Sequence, residues 1–308
     1  MQLRLRLYLR HRDKERAVND RLRPRPAVGV GYRWAIDNWL RDNLVHFDVI
    51  EVTVDHYISG SKTARAAILD LVGQVPLTAH GVGLSIGTDA PLDLDYLDCV
   101  AAAVDRLGAS AYSEHLAFTR VPGRDLANLL PLPRTRSAAR SIIAKVRAIQ
   151  SRIPVPFLLE NIAYVFDWPR STLSHAEFFS RICGETGARI LLDVENLYLN
   201  AQNHHLDACA FLDALPAGIV EQVHIAGGVT VSASFLERPF LADTHDRPAP
   251  EGAFDLLDYV LSRHAPSAVV LERDERLEAV EEVLDDIGRI RARVAENACG
   301  ATAVRSAG

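Results

Sequence analysis

The sequence predicts a closed parallel (β/α)8 barrel, a TIM barrel, on three observations. Eight short apolar runs of β type recur along the chain, helical periodicity fills the stretches between them, and the runs end in or near histidines and carboxylates. Alternating β and α patterns favour a parallel sheet, and in such a barrel the working residues stand on the C-terminal face. At 308 residues the chain exceeds the roughly 250 of a typical barrel, which leaves room for one domain with extensions.

The runs are Ala27–Tyr32, Phe47–Val54, Pro76–Val82, Ala109–Phe118, Pro154–Ile162, Ala188–Asn196, Ile219–Gly228 and Ser267–Asp274. At or near their C-terminal ends stand His56, His80, His115, Glu160, Asp193, His224 and Glu272. Between them, Leu92–Leu107, Thr135–Ser151, His175–Thr186, Gly252–His264 and Arg276–Val294 place apolar residues at helical spacing, with Ser174 as the N-cap of the third. Two connections are longer than a plain βα loop. Thr119–Arg134 follows the fourth run, and Val229–Pro250, which contains Asp243-Thr-His245-Asp246, follows the seventh. Both emerge on the face where loops cover substrates.

Composition narrows the function classes. Residues 1–26 carry eight arginines and one lysine against three acids, and read as a basic, disordered N-terminal extension. Residues 27–297 form the expected catalytic barrel and 298–308 a flexible tail. With the chain at −6, the part beyond residue 26 is near −12, which argues against a nucleic-acid substrate. No apolar stretch reaches the roughly 20 residues that span a bilayer, and arginines interrupt the start where a signal peptide would be apolar, so a cytoplasmic protein without a membrane partner is expected. Cys99, Cys183, Cys209 and Cys299 form no CxxC pair; the first three are expected as small buried hydrophobes, so a metal would be held by nitrogen and oxygen.

A histidine or carboxylate at one strand end is commonplace, but the joint pattern points to a metal centre. Glu160, Asp193, Asp243 and Glu272 would converge near the barrel axis. At an effective dielectric of 20 and about 5 Å, each like-charged pair costs on the order of 3 kcal/mol, so cations or protons must neutralise the set. The number of ligands exceeds what one ion needs. Imidazole and carboxylate without thiolate suit Fe, Mn or Zn, and this ligand type does not choose between an oxidase and a hydrolase. A Schiff-base aldolase needs a lysine at a strand end, whereas Lys14, Lys62 and Lys145 stand elsewhere. A Zn- or Mn-dependent hydrolase or sugar isomerase on a xylose-isomerase-like or endonuclease-IV-like barrel is the alternative reading. Asp246 and His56 are the acid–base candidates, and Arg33, Arg273 and Tyr198 the candidates for substrate binding.

The motifs HGVGLSIG (His80–Gly87), SEHLAF (Ser113–Phe118), LLPLP (Leu129–Pro133), LLENI (Leu158–Ile162), LLDVENLYLNAQNH (Leu191–His204), QVHIAGG (Gln222–Gly228), DTHD (Asp243–Asp246) and LERD (Leu271–Asp274) occur in this order. In them the chain resembles the DUF692 family, multinuclear non-haem iron-dependent oxidases of the methanobactin-biosynthesis type that modify cysteines in ribosomally made peptides. The resemblance covers roughly residues 27–290. It implies two to three iron ions, with O2 as cosubstrate, held by His80, His115, Glu160 as a bridging carboxylate, Asp193, Asn196, His224, Asp243, His245 and Glu272. It also implies a cysteine-containing precursor peptide and a partner protein that presents it. The sequence departs from the family pattern at Asp55-His56, at Glu114 and at Glu195, where the family commonly has Glu-Asn, Asp and Asn.

Overall fold

The computed structural model describes residues 25–232 and 239–303. Its strands are, in chain order, β1 (Ala27–Gly31), β2 (Val49–Thr53), β3 (Leu77–Gly81), β4 (Tyr112–His115), β5 (Phe118–Val121), β6 (Arg124–Leu130), β7 (Phe157–Glu160), β8 (Arg189–Asp193), β9 (Val220–Ile225), β10 (Val229–Val231), β11 (Phe240–Ala242) and β12 (Ala268–Leu271). Eight of them close a parallel barrel in the order β1-β12-β9-β8-β7-β4-β3-β2, and each lies within one of the eight apolar runs. Val28, Ile50, Leu159, Ile190, Val223 and Val269 are almost wholly buried, as expected of strands covered on both faces.

Local chemistry sets the helix boundaries. The helix His175–Thr186 begins with a capping box: Glu177 N donates to Ser174 Oγ at 3.2 Å and Ser174 N to Glu177 Oε2 at 2.7 Å. Asp93 and Thr135 cap Leu94–Leu107 and Arg136–Gln150 in the same way, and these helices bury the apolar stripes their periodicity predicts. The last helix, Val280–Ala303, runs past residue 298, where the sequence suggests a tail; Asn297 Nδ2, bonded to Asp258 Oδ1 at 2.9 Å, ties it to the helix Glu251–Arg263. The expected N-terminal extension lies, up to residue 24, outside the described residues. Cys183 is buried, but Cys99 is exposed: it sits on the outer face of its helix, between Asp98 and the buried Val100.

Both long connections contain two-stranded sheets that the sequence reading leaves as loops. β5 and β6 form a hairpin that turns at Pro122-Gly123, where Gly123 takes φ 78°, a conformation that favours glycine. β10 pairs antiparallel with β11, Val229 opposite Ala242, and so delivers Asp243 to the barrel mouth. Among the described residues, no helix is long and apolar enough to cross a membrane.

Candidate metal centre

Strand register assembles the site. His80 is paired with Ser113, His115 with Glu160 and Asp193 with His224, while Glu272 N donates to Ile225 O at 2.9 Å one step past β12. The closed barrel therefore sets side chains from six strands at one level, and all but the half-buried His115 are almost fully buried. His80, His115 and Glu160 each bring a ligand atom to within 4.8 Å of the others, and so do Glu160, Asp193, His224 and Glu272. Glu160 belongs to both groups.

Each histidine has its outward nitrogen committed. Ser113 Oγ donates to Ala79 O, so it accepts from His80 Nδ1–H at 2.8 Å; Gly81 O accepts from His115 Nδ1–H at 3.2 Å. Both rings consequently turn an Nε2 lone pair inward, 3.5 Å and 3.2 Å from Glu160 Oε2. Burial lowers the pKa of His80, and lowers that of His115 to about 4, so neither ring carries a second proton near neutrality. Glu160 Oε2 accordingly has no hydrogen-bond donor. Burial raises the pKa of Glu160, so the three facing atoms are satisfied either by a proton on the carboxyl or by a cation bound among them.

The other group is charged differently. His224 donates from Nε2 to Glu51 Oε1 at 2.8 Å, and its Nδ1 stands 3.2 Å from both Glu160 Oε1 and Glu272 Oε2. Burial opposes protonation of His224, but Glu272, Glu51 and Glu160 outweigh it and raise its pKa well above the ordinary range. Asp193 moves well above the usual carboxylate range, first through burial and then through Glu160 and Asp243. Asp193 Oδ1 caps the helix Val194–His204 by accepting from Asn196 N at 2.8 Å, leaving Oδ2 and Asn196 Oδ1 buried without hydrogen bonds. Asn161 holds both ends of this turn: its amide bonds Asp193 O and N at 2.9 Å each, and its own carbonyl accepts from Asn196 Nδ2 at 3.2 Å.

The loop after β11 closes the ring. His245 adopts φ 49°, with Nε2 2.6 Å from Asp243 Oδ1 and Nδ1 3.2 Å from Asp274 Oδ2 and 3.6 Å from Glu272 Oε2. Burial opposes its protonation, but Asp243 and Glu272 prevail and its pKa rises well above normal. The structure thus brings together His80, His115, Glu160, Asp193, His224 and Glu272, with Asn196 held at the same turn and Asp243 and His245 beside Glu272. Arg33 also reaches this edge, bonding Asp274 through Nε at 2.7 Å and lying 4.0 Å from Glu272.

Four other sequence-based assignments are corrected. His56 is exposed on the helix Val54–Ser59, because β2 ends at Thr53 and the chain coils immediately. Asp246 turns toward its own loop, where it accepts from Thr244 Oγ1 at 2.5 Å and pairs with Arg247 at 3.3 Å. Arg273 is fully buried and paired with Glu282 at 3.1 Å and Asp286 at 3.5 Å, so it anchors the last helix and faces no substrate. Tyr198 packs its ring over Gly252, where an added Cβ would come within 2.3 Å of it, and serves contact between helices. Two departures from the family pattern also find structural roles. Asp55 Oδ2 accepts from Val82 N at 2.9 Å and Glu114 Oε1 from Leu84 N at 2.8 Å, so together they pin the loop after β3.

The sequence reading missed Glu51. It is 3% exposed in mid-strand, bonded to His224 and within 3.3 Å of Thr78 Oγ1. Burial raises its pKa, but His224 outweighs this and keeps it ionised below the usual range. A carboxylate interrupting the apolar run VIEVT was the available signal.

The donor set fits divalent cations: imidazole nitrogens with committed outer protons, carboxylate oxygens without donors, and no cysteine in either ligand group. Comparisons with known proteins agree in fold. A xylose isomerase domain protein from Planctomyces limnophilus is similar with TM-score 0.58 at 10% identity, over 89% of this chain and 100% of that one. Endonuclease IV from Thermus thermophilus gives TM-score 0.56 at 15% identity, over 88% and 100%. In sequence, a UPF0276 protein of Shewanella amazonensis is 36% identical over 245 residues, 79% of this chain and 85% of the relative. A second, from Bordetella parapertussis, is 32% identical over 277 residues, 89% and 96%. The family model described as RiPP precursor modification enzyme MbnB/TglH/ChrH matches residues 27–295, nearly the whole described barrel, and the chain belongs to that family.

Proposed function

We propose that the protein is a cytoplasmic multinuclear non-haem iron oxidase that uses O2 to modify cysteine in a ribosomally made precursor peptide, presented by a partner protein. The observation that carries the reading is the facing of Glu160 Oε2 by the inward Nε2 atoms of His80 and His115, while Glu160 Oε1 meets His224. One carboxylate serves two ligand groups, which suits a pair of adjacent ions. Asn196, Asp243 and His245 would hold a third. Bound iron would supply a site for thiolate and the electrons that O2 accepts.

The chain's own residues fix the ligands before a metal arrives. Ser113 and Gly81 set the tautomers of His80 and His115, Glu51 sets that of His224, and Asn161 clamps the Asp193 turn. Divalent cations bound at this mouth would offset the carboxylates around them and so favour the approach of a peptide thiolate. Arg33, held by Asp274, is the cation placed at the rim to meet a peptide carboxylate or carbonyl.

Elemental analysis of protein purified without oxygen tests the reading. Two to three irons per chain, with O2 consumption on adding a cysteine-containing precursor from the same organism, support it. Stoichiometric zinc or manganese that persists against excess iron moves the assignment to a metal-dependent hydrolase or isomerase.

A further inference from the structure

We propose that the cavity beside the metal centre, walled by Leu116, Leu132, Tyr164, Phe178, Leu197 and Phe211, binds an apolar side chain of the precursor peptide, aromatic or branched aliphatic. The inference rests on the peptide-modifying reading above and names a subsite for it. The cavity measures about 550 Å3 with its open mouth included, within the size range of sites that hold small organic groups. Three of its lining residues are chain neighbours of proposed ligands: Leu116 follows His115, Asn161 follows Glu160 and Leu197 follows Asn196. An occupant therefore lies against the same strand and helix ends that carry the centre.

The polar groups of the wall are already committed. Asn161 uses its amide on Asp193 O and N, at 2.9 Å each. Asn200 accepts from Tyr164 N at 3.1 Å and donates to Ile162 O at 2.9 Å. Arg134 donates to Leu173 O at 3.1 Å and pairs with both oxygens of Asp167, at 2.7 Å and 2.6 Å. Burial, and then Arg134, lowers the pKa of His175 to about 4, so its ring is neutral where it stacks on Tyr164 with centroids 5.3 Å apart. A charged occupant would find no free counter-charge among these residues, whereas an apolar one meets the rings of Phe178, Phe179 and Phe211.

The surroundings of the mouth mark the occupant as part of a chain. Val165 and Phe166, which follow the wall residue Tyr164, are 73% and 42% exposed. Phe166 packs edge-on against Trp168 with centroids 5.6 Å apart, and Trp168 Nε1 donates to O of the wall residue Pro131 at 2.6 Å. An exposed apolar lip beside a cavity is a docking feature. A free small molecule in the cavity would leave that lip uncovered, while a peptide laid across it with one side chain inserted covers both.

The test uses the full-length protein as purified, with N-acetyl-phenylalaninamide and N-acetyl-leucinamide as probes and N-acetyl-serinamide as the control. Saturation-transfer NMR titrations read affinity, and metal per chain is counted on the same samples. At least one apolar probe is expected to bind tenfold or more tighter than the serine control. Leu206→Trp, which adds an indole from a half-buried wall residue, is expected to weaken that binding at least tenfold with metal content unchanged. Should that variant not fold, Leu132→Trp blocks the cavity from the loop after β6. Equal binding of apolar and serine probes, or unchanged affinity in a folded blocking variant, overturns the proposal. Binding of toluene with neither apolar amide also overturns it, since the cavity would then take small free molecules. A wild-type chain that holds no metal yet binds the probes overturns the metal-centre reading and leaves the apolar site standing.

Discussion

Glu51 Oε1 lies 2.8 Å from His224 Nε2, on the side of the ring opposite the one that meets Glu160 and Glu272. The carboxylate fixes the imidazole's orientation and makes its inner nitrogen a better ligand, as an outer partner of a metal-bound histidine does. Glu51→Gln should therefore weaken metal binding by roughly 10-fold or more without unfolding the barrel. Competition with a chelator of known affinity measures this, and an unaltered affinity would remove Glu51 from the centre.

Glu160 is shared between two ligand groups, whereas Glu272 belongs to one. Glu160→Ala should cost two ions per chain, and Glu272→Ala one. Metal counting on the two variants side by side distinguishes a bridging carboxylate from two independent sites.

Protons and metal compete for the same nitrogens. His224 and His245 are held protonated in the metal-free fold, so a divalent ion must displace those protons, and binding should tighten as pH rises and weaken as it falls. Calorimetry in buffers of differing ionisation enthalpy should show net proton release on binding; none would contradict the protonation described.

The same shifts fix how the metal-free protein responds to pH. A group whose pKa is raised by folding contributes stability below its unfolded value and loses it as pH rises through the folded one. For His224 and His245 the loss begins above about 6.5, and Asp193 and Glu160, raised from ordinary carboxylate values, act with the same sign. The metal-free melting temperature should fall as pH rises above about 6.5, and the metal-loaded protein should resist that fall. A thermal scan of both forms over this range decides it.

Arg273→Ala should destabilise the fold by about 3 kcal/mol, since it leaves buried Asp286 without one of its guanidinium partners. Metal stoichiometry should be unchanged in whatever fraction folds. Denaturant unfolding supplies the measurement.

The barrel was legible because its determinants are local. Apolar runs such as Ala188–Asn196, the capping box at Ser174 and the helical stripe of Leu94–Leu107 are each written within a dozen or so residues. The residues brought together at the mouth were legible for a related reason, since a polar residue closing an apolar run has few structural uses. Orientation was not. Arg273 adjoins Glu272 in sequence yet pairs with Asp286, because successive residues at a strand end turn to opposite sides. His56 was misplaced by the single turn from β2 into a helix, and Glu51 was passed over because its partner His224 is supplied by β9, far along the chain. The two small sheets went unread because their strands are largely exposed or half-exposed and lack the alternation that marks a core strand, even in β6, which has seven residues.

Glu51, His80, His115, Glu160, Asp193, His224 and Glu272 come from β2, β3, β4, β7, β8, β9 and the end of β12, and β1 alone sends none, leading instead to Arg33. No fragment of the chain contains the centre, and no part of the barrel can open without dismantling it. Whatever loosens one seam of the sheet would release an ion held at the middle, so in a cell the supply of metal and the lifetime of the polypeptide would rise and fall together.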